Sequence, residues 1–333
     1  MNTRIKDTDY AFAVARIRAN EPGLLTESDL DQLISAENYS SALRMLEEMG
    51  WIEPEDREDI DAALKRHGMR VWELLNEVSP NISVLDFLII KNDFHNIKAA
   101  LKSFVTMHVT GGNQVLTDSF VSPSIVYPEM IKNALSLKKY DELPDFVQDA
   151  INKTYDVLIR TLDDQLADII LDSLALNCIA ERAENTGNDF IIKTAELMCV
   201  TANIKIAYRA TRTGKGREFL ETALCVTKTL DKRQLLEASL EGMQELIAYI
   251  ESTPYKDAAA YLAESASAFE KWCDDLLMSH VENAKYICFG VQPLIAYYIA
   301  KDAEIKSMRI ILSCKHNNLP PEAIRERVRK LYV

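Results

Sequence analysis

A tripeptide recurs three times at wide, nearly even intervals: Asn96-Ile97-Lys98, Asn203-Ile204-Lys205 and Glu304-Ile305-Lys306, 107 and then 101 residues apart. A repeat of that length restricts the chain to copies of one unit that bury their apolar seams against each other, with pseudo-threefold character. The flanks carry the same register. Around the first copy Ile90, Phe94, Ile97, Leu101 and Phe104 fall at i, i+4, i+7, i+11 and i+14, one side of an amphipathic α-helix. Leu197, Val200, Ile204 and Tyr208 repeat that stripe around the second. Tyr298, Ile305, Met308 and Leu312 do so around the third, where Asp302 and Lys306 pair at i,i+4. Upstream, Leu30, Leu33, Leu43, Leu46 and Trp51 align with Met130, Leu135 and Tyr140 and with Leu235, Leu246, Ile250 and Tyr255.

A chain of 333 residues exceeds what one core organises, and 48% hydrophobic residues suffice for several. Glycine and proline number only 10 each, and apolar residues follow the helical period rather than strand alternation. The predicted fold is all-α, in three similar helical lobes: residues 1–110 with an amino-terminal helix, 111–215, and 216–333 with a carboxyl-terminal helix. Glycine punctuation sets the boundaries, at Thr110-Gly111-Gly112-Asn113 and Thr213-Gly214-Lys215-Gly216. A last helix is expected from Pro320-Pro321-Glu322 to the basic run Arg325, Arg327, Arg329 and Lys330, docked through Ile324, Val328 and Leu331.

The net charge of −13 argues against nucleic acid as a partner. Six cysteines without CxxC spacing (Cys178, Cys199, Cys225, Cys273, Cys288, Cys314) read as reduced, buried thiols of a cytosolic protein. The start, Met1-Asn2-Thr3-Arg4-Ile5-Lys6-Asp7, has no signal-peptide run. The longest uncharged stretch, Tyr286 to Ala300, covers 15 residues and holds Gly290, Gln292 and Pro293, short of the roughly 20 that span a bilayer.

No catalytic, cofactor or metal residues stand out. Gly214-Lys215-Gly216 lacks the spacing of a phosphate-cradling loop, and His67, His95, His108, His280 and His316 show no metal-ligand spacing. The acidic run from Glu53 to Asp59 suits the start of a helix better than paired catalytic carboxylates. What does rise above the background is basic. Lys91, His95, Lys98 and Lys102 share a stripe on the first repeat helix, Lys205, Arg209 and Arg212 on the second, and Lys306 and Arg309 on the third. In an acidic chain these are either solvated helix faces or pins that meet an acidic or carbonyl-rich partner.

The amino-terminal run Tyr10-Ala11-Phe12-Ala13-Val14-Ala15-Arg16-Ile17-Arg18-Ala19 with Leu24-Leu25, the segment Asp93-Phe94-His95-Asn96-Ile97-Lys98, and the carboxyl-terminal elements Pro293-Leu294-Ile295-Ala296-Tyr297, Lys301, Glu304-Ile305-Lys306, Arg309-Ile310-Ile311, Leu319-Pro320, Ile324-Arg325-Glu326-Arg327 and Tyr332-Val333 resemble the C subunit of archaeal and bacterial A/V-type rotary ATPases, related to the d subunit of the vacuolar enzyme. The resemblance spans essentially the whole chain. It departs at Cys199-Val200-Thr201-Ala202, Val291-Gln292 and Ser313-Cys314-Lys315. It implies a non-catalytic funnel of three lobes on the cytoplasmic face of the membrane. That funnel would sit on the membrane rotor ring, receive the central axle, and pass torque for ATP-coupled H⁺ or Na⁺ transport. The basic stripes would then be interface pins, while Arg16 and Arg18 would clamp the lobes together. Two rivals stand beside this reading. One is a helical scaffold of another complex, which normally has a shorter repeat of about 33 to 47 residues. The other is an all-α enzyme with convergent His, Asp or Glu.

Overall fold

The computed structural model describes residues 5–110, 119–161 and 163–333; the boundary at Gly111-Gly112-Asn113 and the residues Met1 to Arg4 lie outside them. Those residues form α-helices, short 3-10 turns and connecting segments, with no strand among them. In chain order the helices are α1 (Ala11–Asn20), α2 (Glu27–Ser35), α3 (Tyr39–Glu48), α4 (Ile60–Val78), α5 (Asp86–Thr110), α6 (Pro128–Leu137), α7 (Asp145–Thr161), α8 (Asp164–Thr186), α9 (Asp189–Thr213), α10 (Arg217–Ala223), α11 (Lys232–Glu241), α12 (Met243–Glu251), α13 (Ala258–Glu264), α14 (Ala266–Val281), α15 (Gln292–His316) and α16 (Pro321–Arg325). Three of them, α5, α9 and α15, are each 25 residues long, and their first residues stand 103 positions apart. Each carries one copy of the tripeptide.

Their starts and stops follow local chemistry. Thr26 Oγ1 accepts from Asp29 N while Asp29 Oδ2 accepts from Thr26 N at 2.8 Å, a reciprocal cap on α2. Asn38, Asp59, Asn188, Asp231 and Ser265 cap α3, α4, α9, α11 and α14 with a side-chain oxygen on a free amide of the first turn. Helix α9 stops where Gly214 takes φ +64° and Lys215 N returns to Ala210 O at 3.0 Å, a left-handed conformation that a Cβ would strain.

By compactness the chain divides into two units, residues 1–82 with 260–333 and residues 83–259. In the second unit α5 packs on α6, α7 and α8, and α9 packs on α8, α10, α11 and α12. The stripe predicted on α5 is its buried face, with Ile90 and Ile97 fully enclosed; each such residue is worth about 1.5–3 kcal/mol. In the first unit α15 packs on α1, α3, α4 and α14. One core there joins Leu33, Leu46, Trp51 and Leu64 of the amino-terminal helices and loop to Met308, Ile311 and Ile324 near the other end of the chain. The final helix is shorter than expected: it ends at Arg325, and the chain continues through a turn with Val328 and Leu331 buried. The cysteines are free, but four rather than six are buried, since Cys178 is half-buried and Cys288 exposed.

Across each long helix runs an extended segment, held by the first residue of the tripeptide. On α5, Asn96 donates from Nδ2 to Val121 O at 2.9 Å and accepts Val121 N at Oδ1 at 2.8 Å. One turn earlier Asp93 accepts Ile125 N and Val126 N at 3.0 and 2.8 Å. On α9, Asn203 makes the same pair of bonds with Cys225, at 2.8 and 3.1 Å, and Glu196 accepts Lys228 N and Thr229 N. On α15, Glu304 Oε1 accepts Leu25 N at 2.7 Å, while Lys301 donates to Gly23 O at 3.1 Å and to Glu304 Oε2 at 2.8 Å. A carboxamide carries donor and acceptor together, whereas a carboxylate only accepts, so where glutamate replaces asparagine a lysine one turn away supplies the donor. These straps lead into α6, α11 and α2.

Because Asn203 is fully buried, Asn203→Ala strands an amide and a carbonyl of Cys225 and is expected to cost about 2–4 kcal/mol, read from the urea unfolding midpoint. Asp93 adds a pH dependence. Burial, outweighing its two backbone hydrogen bonds and the charge of Arg182, raises its carboxyl from 3.8 to about 6. The native chain therefore holds a proton that the unfolded chain releases between those values, and this stability is lost as pH rises through 6. From pH 4.5 to 7.5 wild type is expected to lose about 2 kcal/mol relative to Asp93→Asn, measured by urea unfolding of both.

Candidate functional site

The basic residues singled out in the sequence lie on α5, α9 and α15. On α5, Lys98 reaches Asp172 of α8 at 2.8 Å and Asp168 at 3.8 Å, and Lys102 reaches Asp168 at 2.7 Å. Lys91 is exposed, and His95 Nε2 lies 2.9 Å from Ser119 O beside the strap. On α9, Lys205 is half-buried and Arg209 exposed, each with its own interaction within the chain. Arg212 is exposed, with its guanidinium 5.6 Å from the Tyr208 ring centre. On α15, Lys306 is held between Asp274 of α14 at 2.8 Å and Asp302 at 3.0 Å. Those two carboxylates outweigh the cost of burial and push its ammonium above the ordinary lysine range. Arg309 pairs with Asp61 of α4 at 3.2 Å.

The structure thus gives the third residue of the tripeptide, in copies one and three, an acidic partner on a neighbouring helix. Arg18 donates to Ala284 O and Ile287 O at 2.6 and 3.0 Å, so it ties α1 to the turn before α15 within the first unit. The residues that the basic-stripe reading passes over are Asn96, Asn203 and Glu304, buried polar groups of the long helices that grip the straps. The tripeptide itself carries their signal, because an asparagine inside an apolar helical face demands a buried partner. Among the described residues no group of three or more His, Cys, Asp or Glu is placed to hold a metal ion, and no helix is long and apolar enough to cross a membrane. Lys102 and Asp168 keep partial exposure, which limits their worth. A double-mutant cycle with Lys102→Gln and Asp168→Asn is expected to give a coupling of about 0.2–1 kcal/mol that shrinks in 1 M salt.

The profile of the ATP synthase (C/AC39) subunit family matches residues 13–327. Over 323 residues the chain is 23% identical to the C subunit of the V-type sodium ATPase of Enterococcus hirae, covering 95% of this chain and 97% of that relative. It is 24% identical over 348 residues to the C subunit of the A-type ATP synthase of Methanocaldococcus jannaschii, covering 95% and 85%. With the corresponding A-type ATP synthase protein of Thermococcus kodakarensis it shares 22% over 345 residues, covering 97% and 91%. Nearly complete coverage of both partners, on an all-helical fold, leads to one assignment: the chain belongs to the C/AC39 subunit family of V/A-type ATP synthases, whose members are structural rather than catalytic subunits.

Proposed function

We propose that the chain is the collar of a rotary ATPase, a rotor subunit on the cytoplasmic face that joins the central axle to the membrane ring and transmits torque for ATP-coupled H⁺ or Na⁺ transport. Family membership carries this reading. The strapped long helices support it, because a torque joint must resist shear between its own parts. Sliding a strap along its helix breaks buried polar bonds that water cannot replace, at a cost of several kcal/mol per strap. An apolar contact alone lets surfaces slip with little change in buried area.

In this reading the three long helices mark three similar lobes arranged as a funnel, and each strap hands one repeat on to the next. Lys98, Lys102, Lys306 and Arg309 set the register of neighbouring helices, being paired within the chain. Lys91, Arg209 and Arg212, exposed on their helices, are the pins that meet the ring or the axle, together with the half-buried Lys205; Lys205 and Arg209 also keep an interaction of their own within the chain. Partner recognition through charge fixes register and suppresses slippage, which is what coupling needs.

Two measurements test the reading. A tagged chain purified from detergent-solubilised membranes is expected to bring ring and axle subunits with it; recovery of the chain alone, with the ring and head assembled without it, would overturn the collar assignment. Replacing Lys205, Arg209 and Arg212 together by Gln is expected to lower ions pumped per ATP about tenfold, the equivalent of ~1.4 kcal/mol at the joint, in a chain that stays folded by urea unfolding despite the loss of their contacts within the chain. Unchanged coupling in that variant removes the pin assignment.

A further inference from the structure

Four residues before each strap-gripping side chain the long helices carry Asn92, Cys199 and Ala300, and the strap residues gripped are Val121, Cys225 and Leu25. Only the second copy sets sulfur at both places. In the first, Asn92 donates from Nδ2 to Pro123 O at 2.8 Å, so this position on the helix reaches the strap. In the second, Cys199 reaches it with a thiol that hydrogen-bonds with the Cys225 sulfur. Leu176 O lies 3.5 Å from Cys199 Sγ, and Asn203 Oδ1 lies 3.4 Å from Cys225 Sγ. The two sulfurs thus meet between α8, α9 and the strap.

The fastening of the strap uses backbone, not sulfur. Asn203 holds the amide and carbonyl of Cys225, and Glu196 takes the amides of Lys228 and Thr229. That grip fixes Cys225 one helical turn from Cys199, which keeps the sulfurs together without cost to the clamp. Both cysteines are 1% exposed, but Val226, the next residue along the strap, is 73% exposed. The pair lies directly beneath the open edge of the strap, where a small oxidant enters by a local opening and a bulky reagent does not. Of the two, Cys225 is the better nucleophile: the bond from Cys199 chiefly lowers its thiol, whereas that bond and then burial raise the thiol of Cys199.

We propose that Cys199 and Cys225 form a redox-sensitive lock: hydrogen peroxide joins them in a disulfide that ties the second strap covalently to α9, and a dithiol reductant releases it. The Cys225 thiolate attacks one peroxide oxygen and breaks the O–O bond; the hydroxide that leaves takes up the thiol proton as water, and Cys225 becomes a sulfenic acid. The Cys199 sulfur then attacks the Cys225 sulfur and expels the sulfenic hydroxyl, which departs with the Cys199 proton as a second water. Two thiols are oxidised and one peroxide is reduced. In the joined form the strap opens only with the helix that carries it. The inference is independent of the collar assignment.

The test treats the full chain under native conditions with graded hydrogen peroxide, alkylates the remaining thiols in denaturant, and maps the digested peptides by mass. Peptides holding Cys199 and Cys225 are expected as one linked species, lighter by two hydrogen atoms than the reduced pair and separated by dithiothreitol. Amide exchange at Lys228 and Thr229 is expected to slow about tenfold in the oxidised chain. Cys199→Ser and Cys225→Ser each abolish the link and the slowing, while Cys178→Ser, at a half-buried thiol on α8, keeps both. The wild-type map decides the matter even where a serine variant folds poorly. Recovery of Cys199 and Cys225 as alkylated thiols while the exposed Cys288 is oxidised, a link from either to another cysteine, or a link that leaves exchange unchanged would each overturn the assignment.

Discussion

The constraint on which the structure depends is the need to satisfy extended backbone where it crosses a buried helical face. A strap has no sheet neighbour, so its amides and carbonyls require side-chain partners. Three long helices meet that requirement from within, by placing buried polar residues in otherwise apolar stripes: Asp93 and Asn96 on α5, Asn203 on α9 and Glu304 on α15. Asn96 and Asn203 solve it with a carboxamide that donates and accepts at once. Glu304 and Lys301 solve it as a pair, at the added cost of burying a carboxylate: Glu304 is 2% exposed, and burial raises its pKa despite the neighbouring ammonium.

Once the straps are placed, the packing of the long helices follows. The chain that follows each strap folds back onto the helix the strap crosses, so α5 packs with α6 to α8, α9 with α11 and α12, and α15 with α3 and α4. Apolar stripes supply the bulk of the adhesion, yet they leave translation along the helix axis weakly determined. The polar clamp fixes that coordinate, since a shift of one residue would present a methyl or a methylene to a backbone amide. Ion pairs such as Lys102 with Asp168 and Lys306 with Asp274 then set rotation about the axis, individually weak but placed on the rim of the same contacts.

Much of this is legible in the residues alone. The 3.6-residue period of Ile90, Phe94, Ile97, Leu101 and Phe104 reports a buried face directly, because helical burial is a local property of spacing. The stop at Gly214 is equally plain, since only a residue without Cβ enters the left-handed region freely. What escapes is the role of residues whose meaning lies in a distant partner. Asn96 and Lys98 are near neighbours in sequence and both polar, and nothing local says that the first grips Val121 while the second reaches Asp172. The expected last helix overruns for a related reason: the basic residues after Arg325 suit a helix end, but Lys330 N is taken by Asp275 and Arg329 N by Ser307 in a non-helical path.

The third strap joins residues 279 positions apart, Leu25 to Glu304. During synthesis the helices α2 and α3 therefore emerge long before the surface that completes them exists. At the roughly 5–20 residues per second of translation, that interval is about 15–60 s, far beyond the microseconds in which the helices themselves form. For that time Leu33, Leu46 and Leu64 offer apolar surface to whatever is near the ribosome, and the amide of Leu25 stays hydrated. Residues 83–259 carry both ends of their own two straps and are free to settle first, which makes the amino-terminal quarter of the chain the last to find its place.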